Sequence, residues 1–208
     1  MSELIIMSVP QSNFARSVRM LAAEKGVPCT LQPDAPHSDP VKAISPFGKV
    51  PVMKHGDVEI FETSAIARYI EAAFDGPKFF PEDPATAAKV EEWVSLHATQ
   101  LDKTMIRQYA FAYIFPGTDD GSPNQDVIKG CIDAVKMQLE YIDGAVGDGY
   151  LVGDEFTYAD MALYPTLAYM RNFPESGAIV KACANLTAYM DKIDARESAH
   201  STKPPKKA

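Results

Sequence analysis

The stretch Val9-Pro10-Gln11-Ser12-Asn13-Phe14-Ala15-Arg16 puts a serine hydroxyl where an apolar run gives way to helical spacing. The first N–H groups of a helix lack intrahelical partners and carry partial positive charge, so an anion is stabilised there. A thiolate presented at Ser12 would gain that field and a hydroxyl hydrogen bond. Serine before a helix is also an ordinary N-cap, and this stretch alone leaves both readings open. A second stretch, Ser45-Pro46-Phe47-Gly48-Lys49-Val50-Pro51-Val52, opens a strand with proline, which suits an edge or a cis turn. Trans is the ordinary expectation for any X–Pro bond. Its Gly-Lys pair is not a phosphate loop, because the upstream glycine is absent and valine follows the lysine. In the third, Phe61-Glu62-Thr63-Ser64-Ala65-Ile66, a strand runs into a helix through hydroxyl residues. That junction suits a carboxylate ligand, or simple capping.

Regular elements must hold these stretches. Leu4 to Val9 reads as a buried strand; Phe14, Val18, Leu21 and Ala22 recur at helical spacing, and Gly26 supplies the stop. Cys29 to Leu31 looks extended, and a proline-bearing loop with a short helix near Val41 to Ile44 comes next. Val52 to Lys54 and Val58 to Phe61 form a hairpin about His55-Gly56-Asp57. A helix from about Ser64 carries Ile66, Tyr69, Ile70 and Ala73 on one face. The strand–helix–strand unit predicts a parallel pair, and the hairpin adds antiparallel edges in a small α/β layer arrangement. The proline-rich Gly76 to Pro84 reads as a linker. Beyond it the pattern is helical: Ala85 to Phe115, Gln125 to Val146, Thr157 toward Asn172 with Pro165 inside, then shorter helices over Gly177 to Ala184 and Leu186 to Ala195. The expected division is 1–75, a linker 76–84, an all-α half 85–197, and a flexible tail 198–208.

The bulk properties exclude several function classes. A net charge of -8 argues against general nucleic-acid binding, which needs a basic face. No stretch has the length of a membrane span, and the N-terminus lacks a signal-peptide pattern. Cys29, Cys131 and Cys183 are far apart and form no CxxC pair, which points to a reducing cytoplasm. His37, His55, His97 and His200 show no chelating spacing, so no metal site is expected.

Taken in order, the Ser12 junction, SPFGKVPV, FETSAIARYI and the downstream GDEFTYADMALYP resemble the soluble glutathione transferases. The similarity is strongest to serine-type, phi/theta-like members, expected to be bacterial or fungal. It covers nearly the whole chain and implies a thioredoxin-like α/β N-terminal domain followed by an all-α domain. It further implies a cytoplasmic homodimer that takes glutathione as co-substrate and detoxifies a hydrophobic electrophile. Ser12 then matches the serine that stabilises the glutathione thiolate, and Lys49 a side chain near the tripeptide's glycine end. Val50 precedes the family's cis-proline (Pro51 here) and would pair its backbone with the cysteinyl residue. Glu62 and Thr63 match the acidic-hydroxyl pair that holds the γ-glutamyl group; the family usually has serine where Thr63 stands. His37 corresponds either to a histidine near the glycine carboxylate or to a solvated loop residue. No cysteine lies near Ser12 and no tyrosine between Leu4 and Arg16, so cysteine-type and tyrosine-type chemistry are disfavoured.

In the helical half, Thr157-Tyr158-Ala159-Asp160 fits a capping box, which makes Asp160 a folding residue. Met105, Tyr109 and Tyr113 stand at one-turn spacing and are candidates for an electrophile pocket, although such a stripe also suits plain core. The competing functions on the same site are a glutathione-dependent peroxidase, dehalogenase or isomerase, or a transferase-like binding module without turnover.

Overall fold

The structure, a computed structural model, describes residues 2–205. The chain divides into two compact units, Met1–Pro81 with Asp194–Ala208 and Glu82–Ile193.

In the first unit, β1 (Leu4–Ser8) leads through α1 (Asn13–Glu24) to β2 (Cys29–Pro33). A short α2 (Asp39–Ile44) comes next, then β3 (Val52–His55), β4 (Val58–Phe61) and α3 (Thr63–Ala73). The strands lie in the order β2-β1-β3-β4, with β1 parallel to β2 and antiparallel to β3, and β3 antiparallel to β4. Side chains alternate across a strand. On one face Met7 and Val52 pack with Val41 of α2, flanked by Ile5, Ile44, Val50 and Phe61. Leu4 and Ile6 point to the other face and are equally buried. There α1 and α3 pack against each other and the sheet, closing the core with Val18, Leu21, Ile66 and Ile70. Gly26 ends α1 at φ +69, the left-handed geometry that glycine tolerates.

The segment after α3 is tied down rather than loose. Buried Lys25 reaches the Pro77 carbonyl at 3.0 Å and pairs with Glu71 at 3.3 Å. Glu71 in turn accepts the Phe79 N–H at 3.0 Å, and Arg68 covers the Phe80 ring.

The second unit is helical. Its first helix, α4 (Pro84–Leu96), starts with Asp83 accepting the Thr86 N–H at 2.9 Å and Pro84 at a first-turn position that needs no donor. The expected single helix to Phe115 is instead α4, a stretch of wider π-type turns over His97–Ala110, and the short α5 (Phe111–Ile114). Then come α6 (Gln125–Val146), α7 (Tyr158–Met170, containing Pro165), α8 (Pro174–Ala182) and α9 (Ala184–Asp194). The capping box forms as the sequence predicts. Asp160 is fully buried and accepts from Thr157 N at 2.8 Å, Thr157 Oγ1 at 3.2 Å, Leu151 N at 3.0 Å and Tyr189 OH at 3.0 Å. Burial lifts its carboxyl above the ordinary value, although these donors pull it back down.

A correction concerns the expected tail from 198. The chain forms α10 (Glu197–Ser201) there, which packs on α1 with Ser198, Ala199 and Thr202 buried. Of the tail's last residues, Lys206, Lys207 and Ala208 lie outside the described residues. Among the described residues, no helix is long and apolar enough to cross a membrane. None of them form a cluster of three or more His, Cys, Asp or Glu suited to a metal ion.

Candidate functional site

The sheet register brings the three stretches together. Met7 of β1 lies opposite Val52 of β3, and Val52 lies opposite Phe61 of β4. The turn after β1, the segment before β3 and the junction after β4 therefore emerge at one end of the sheet. These are Val9–Ser12, Lys49-Val50-Pro51, and Glu62-Thr63. The end of β2 joins them: Ser8 pairs with Pro33, and Asp34 N–H reaches the Ser8 carbonyl at 3.3 Å before the chain runs on to His37.

At this end Ser12 is half-buried and caps α1, its hydroxyl accepting the Ala15 N–H at 3.2 Å. Its backbone is equally fixed, with Ser12 N–H on the Val9 carbonyl at 3.1 Å and Arg16 N–H on the Ser12 carbonyl at 3.0 Å. Capping uses one lone pair of the hydroxyl and leaves its proton to donate. The two readings of Ser12 are thus compatible in one geometry.

The Val50–Pro51 bond is cis. Val50 turns its side chain onto the core beside Val52 but precedes β3, so its N–H and C=O stand outside the sheet ladder. Lys49 is exposed beside it. His37 is exposed at φ +66 and donates its N–H to the Gly48 carbonyl at 2.8 Å. Its ring lies so close over Gly48 that a Cβ there would sit 2.2 Å from Nδ1. The structure therefore seats His37 against the Gly48-Lys49 turn. Gly48 itself holds φ +64, which glycine tolerates, and the sequence marks it only as the glycine of the Gly-Lys pair.

Glu62 holds φ +73 and ψ 118, a non-glycine residue in a region that costs about 1–3 kcal/mol. It directly precedes Thr63, the half-buried first residue of α3. No side chain caps α3 and no acidic residue occupies its first turn, so its leading N–H groups face the same end of the sheet without a built-in acceptor. Strain of that kind persists where the surroundings enforce it, commonly at a ligand site.

The helical candidates are placed differently. Met105 and Tyr109 are fully buried in the second unit, so neither presents surface to solvent. The Tyr109 hydroxyl donates to Glu175 at 2.9 Å and accepts the Ser176 N–H at 3.0 Å. Tyr113, half-buried, also donates to Glu175 and stacks on Phe173 at 4.6 Å. Burial, and then the Glu175 contact, push the Tyr113 phenol up. Burial works against ionisation of Glu175 as well, but the two phenols hold its carboxyl below the usual value. This polar knot at the start of α8 joins helices far apart in sequence, and one-turn spacing gave no sign of it.

Comparison with known proteins identifies the family. A model described as glutathione S-transferase, N-terminal domain, matches residues 6–78, and one described as glutathione S-transferase, C-terminal domain, matches 125–192. Glutathione S-transferase 3 of Zea mays is 29% identical over 212 residues, 97% of this chain and 94% of the relative. A solved glutathione S-transferase III in apo form superposes with TM-score 0.85 at 26% identity, covering 100% of both chains. Glutathione S-transferase I from maize, in complex with an atrazine glutathione conjugate, gives TM-score 0.85 at 20% identity over 97% of each chain. Curated relatives from Zea mays, Arabidopsis thaliana and Hyoscyamus muticus are plant proteins, so they lend no support to the expected bacterial or fungal membership. With both domain models matched in order and the fold shared end to end, the chain belongs to the glutathione S-transferase family.

Proposed function

We propose that this transferase binds glutathione at the shared end of β1, β3 and β4 and uses Ser12 to hold its thiol as thiolate for attack on a hydrophobic electrophile. The observation that carries this is the Ser12 cap: a half-buried hydroxyl whose acceptor side is engaged at 3.2 Å and whose proton remains to give. An ordinary cysteine-like thiol has pKa about 8.5. Lowering it by two units takes about 2.7 kcal/mol. A charge-assisted hydrogen bond contributes about 1.5–3 kcal/mol, and a partly buried helix terminus up to about 2 kcal/mol. Together they suffice without a base.

The remaining contacts belong to the same end of the sheet. The uncapped start of α3 receives the γ-glutamyl carboxylate, with the Thr63 hydroxyl and Glu62 beside it. The Val50 backbone before cis-Pro51 pairs with the cysteinyl residue in the manner of an added strand. His37, held on the Gly48 carbonyl, and Lys49, the next residue along, take the glycine carboxylate. Residues 1–75 thus carry glutathione, and 85–197 supply the electrophile contacts, with Tyr113 the accessible member of its stripe. Serine-type, phi-like chemistry, a cytoplasmic setting and a homodimeric state complete the proposal. Retention on immobilised glutathione, release by free glutathione, and turnover with several electrophiles and a hydroperoxide test it. Failure both to bind and to turn over would sink it.

A further inference from the structure

Helix α1 carries a buried cation in its first turn. Arg16 is 5% exposed, and its guanidinium donates to the Ala199 carbonyl of α10 at 2.9 Å, across 183 residues of sequence. As a fold element this is a poor choice. A cation near a helix N-terminus opposes the macrodipole, and burying a guanidinium costs several kcal/mol that an apolar side chain of similar size would not. The same charge is favourable to an anion held at the helix start. Side chains on a helix lean toward its N-terminus, so the Arg16 side chain leaves α1 on the side of the turn that begins at Ser12.

The backbone makes the link direct. Arg16 N–H closes the first turn on the Ser12 carbonyl at 3.0 Å, while Ala15 N–H holds the Ser12 hydroxyl at 3.2 Å. The far end of α1 is anchored separately. Arg196 grips Glu24 through two hydrogen bonds of 2.7 and 2.6 Å, and Ser198 adds a third at 2.6 Å. Arg19 reaches the Thr202 carbonyl at 3.4 Å between them. The C-terminal segment is thus docked along α1, and Arg16 is its contact nearest Ser12.

We propose that Arg16, anchored on the C-terminal segment at Ala199, is a positioning residue of the thiolate site that fixes the first turn of α1 and adds positive potential at Ser12. This inference rests on the glutathione function proposed above. The test is a pH titration of the thiolate ultraviolet absorbance of bound glutathione in the wild type, Arg16→Gln, Arg16→Lys and Arg196→Met. Arg16→Gln keeps a donor for the Ala199 carbonyl but drops the charge. It should raise the bound thiol's pKa by about one unit and lower kcat about tenfold below that pKa, with the electrophile's KM unchanged. Arg16→Lys, which keeps a cationic donor at this position, should titrate within a few tenths of the wild type. Arg196→Met should melt earlier yet keep the wild-type thiol pKa. If Arg16→Gln and Arg16→Lys both titrate like the wild type, the inference is overturned. So is it if Arg196→Met shifts the pKa as far as Arg16→Gln does, because the effect is then one of general loosening. A wild type with no thiolate band would overturn the glutathione function and this inference with it.

Discussion

Replacing Asp160 by alanine separates a folding residue from a catalytic acid. The carboxylate sits at 0% exposure and accepts four hydrogen bonds, of 2.8, 3.0, 3.0 and 3.2 Å, from Thr157, Leu151 and Tyr189. Hydrogen bonds to a charged group each contribute about 1.5–3 kcal/mol, and each buried donor left unsatisfied costs about 1–3 kcal/mol. These terms do not add, and removing the carboxylate also recovers the desolvation cost that raises its pKa. The net expectation is a loss of about 3–5 kcal/mol, comparable to breaking a buried charged pair. For a chain of this size that lowers the melting temperature by about 6–20 °C. Urea unfolding supplies the free energy, and kcat per folded molecule, assayed well below the melting point, supplies the function. The variant should be much less stable and turn over normally once folded. Loss of turnover with stability kept within about 1 kcal/mol of the wild type would refute the structural assignment.

Two further perturbations test other parts of the geometry. Burial lowers the His97 pKa to about 4, with the nearby Asp102 working the other way, while its ring stays bonded to Thr166 at 2.8 Å. Its folded pKa lies below the unfolded value near 6.5, so the unfolded chain takes up the proton first as pH falls. About 3 kcal/mol of stability, present above pH 6.5, should be lost on approach to pH 4. Urea unfolding across that window should show this slope in the wild type and not in His97→Gln; equal slopes would contradict it. Glu62→Gly relieves the strain at φ +73 and should gain about 1 kcal/mol of stability while weakening glutathione binding, read by denaturation and by calorimetry. Lost stability would mean that Glu62 is not strained.

Local patterns made the first unit legible because its elements are short and strongly punctuated. Pro10, Gly26 and the His55-Gly56-Asp57 turn bound the strands and α1 within a residue or so of their observed ends. The site stretches were visible for the same reason, since each lies at a junction that the chain marks with hydroxyl residues or proline. What escaped depends on partners distant in sequence. The segment after 197 is polar and looked like a free tail, yet Arg16, Arg19 and Glu24 hold it on α1 across more than a hundred residues. Tyr109 and Tyr113 looked like a pocket stripe because one-turn spacing identifies a shared face but not what covers it. Here Glu175 bonds both hydroxyls and Phe173 stacks on Tyr113, which stays half-buried. The Ala85 to Phe115 pattern gave helix without revealing that its middle widens into π-type turns over His97–Ala110.

The central claim is that Ser12 lowers the pKa of bound glutathione. The direct measurement is the pH dependence of the bound thiol's ultraviolet absorbance in the wild type, in Ser12→Ala and in Ser12→Thr. The wild type should titrate about two units below a free thiol, and Ser12→Ala should lose at least one of those units. Ser12→Thr, which keeps the hydroxyl, should lie between them. A Ser12→Ala protein that binds glutathione and still titrates with the wild-type pKa would contradict the account.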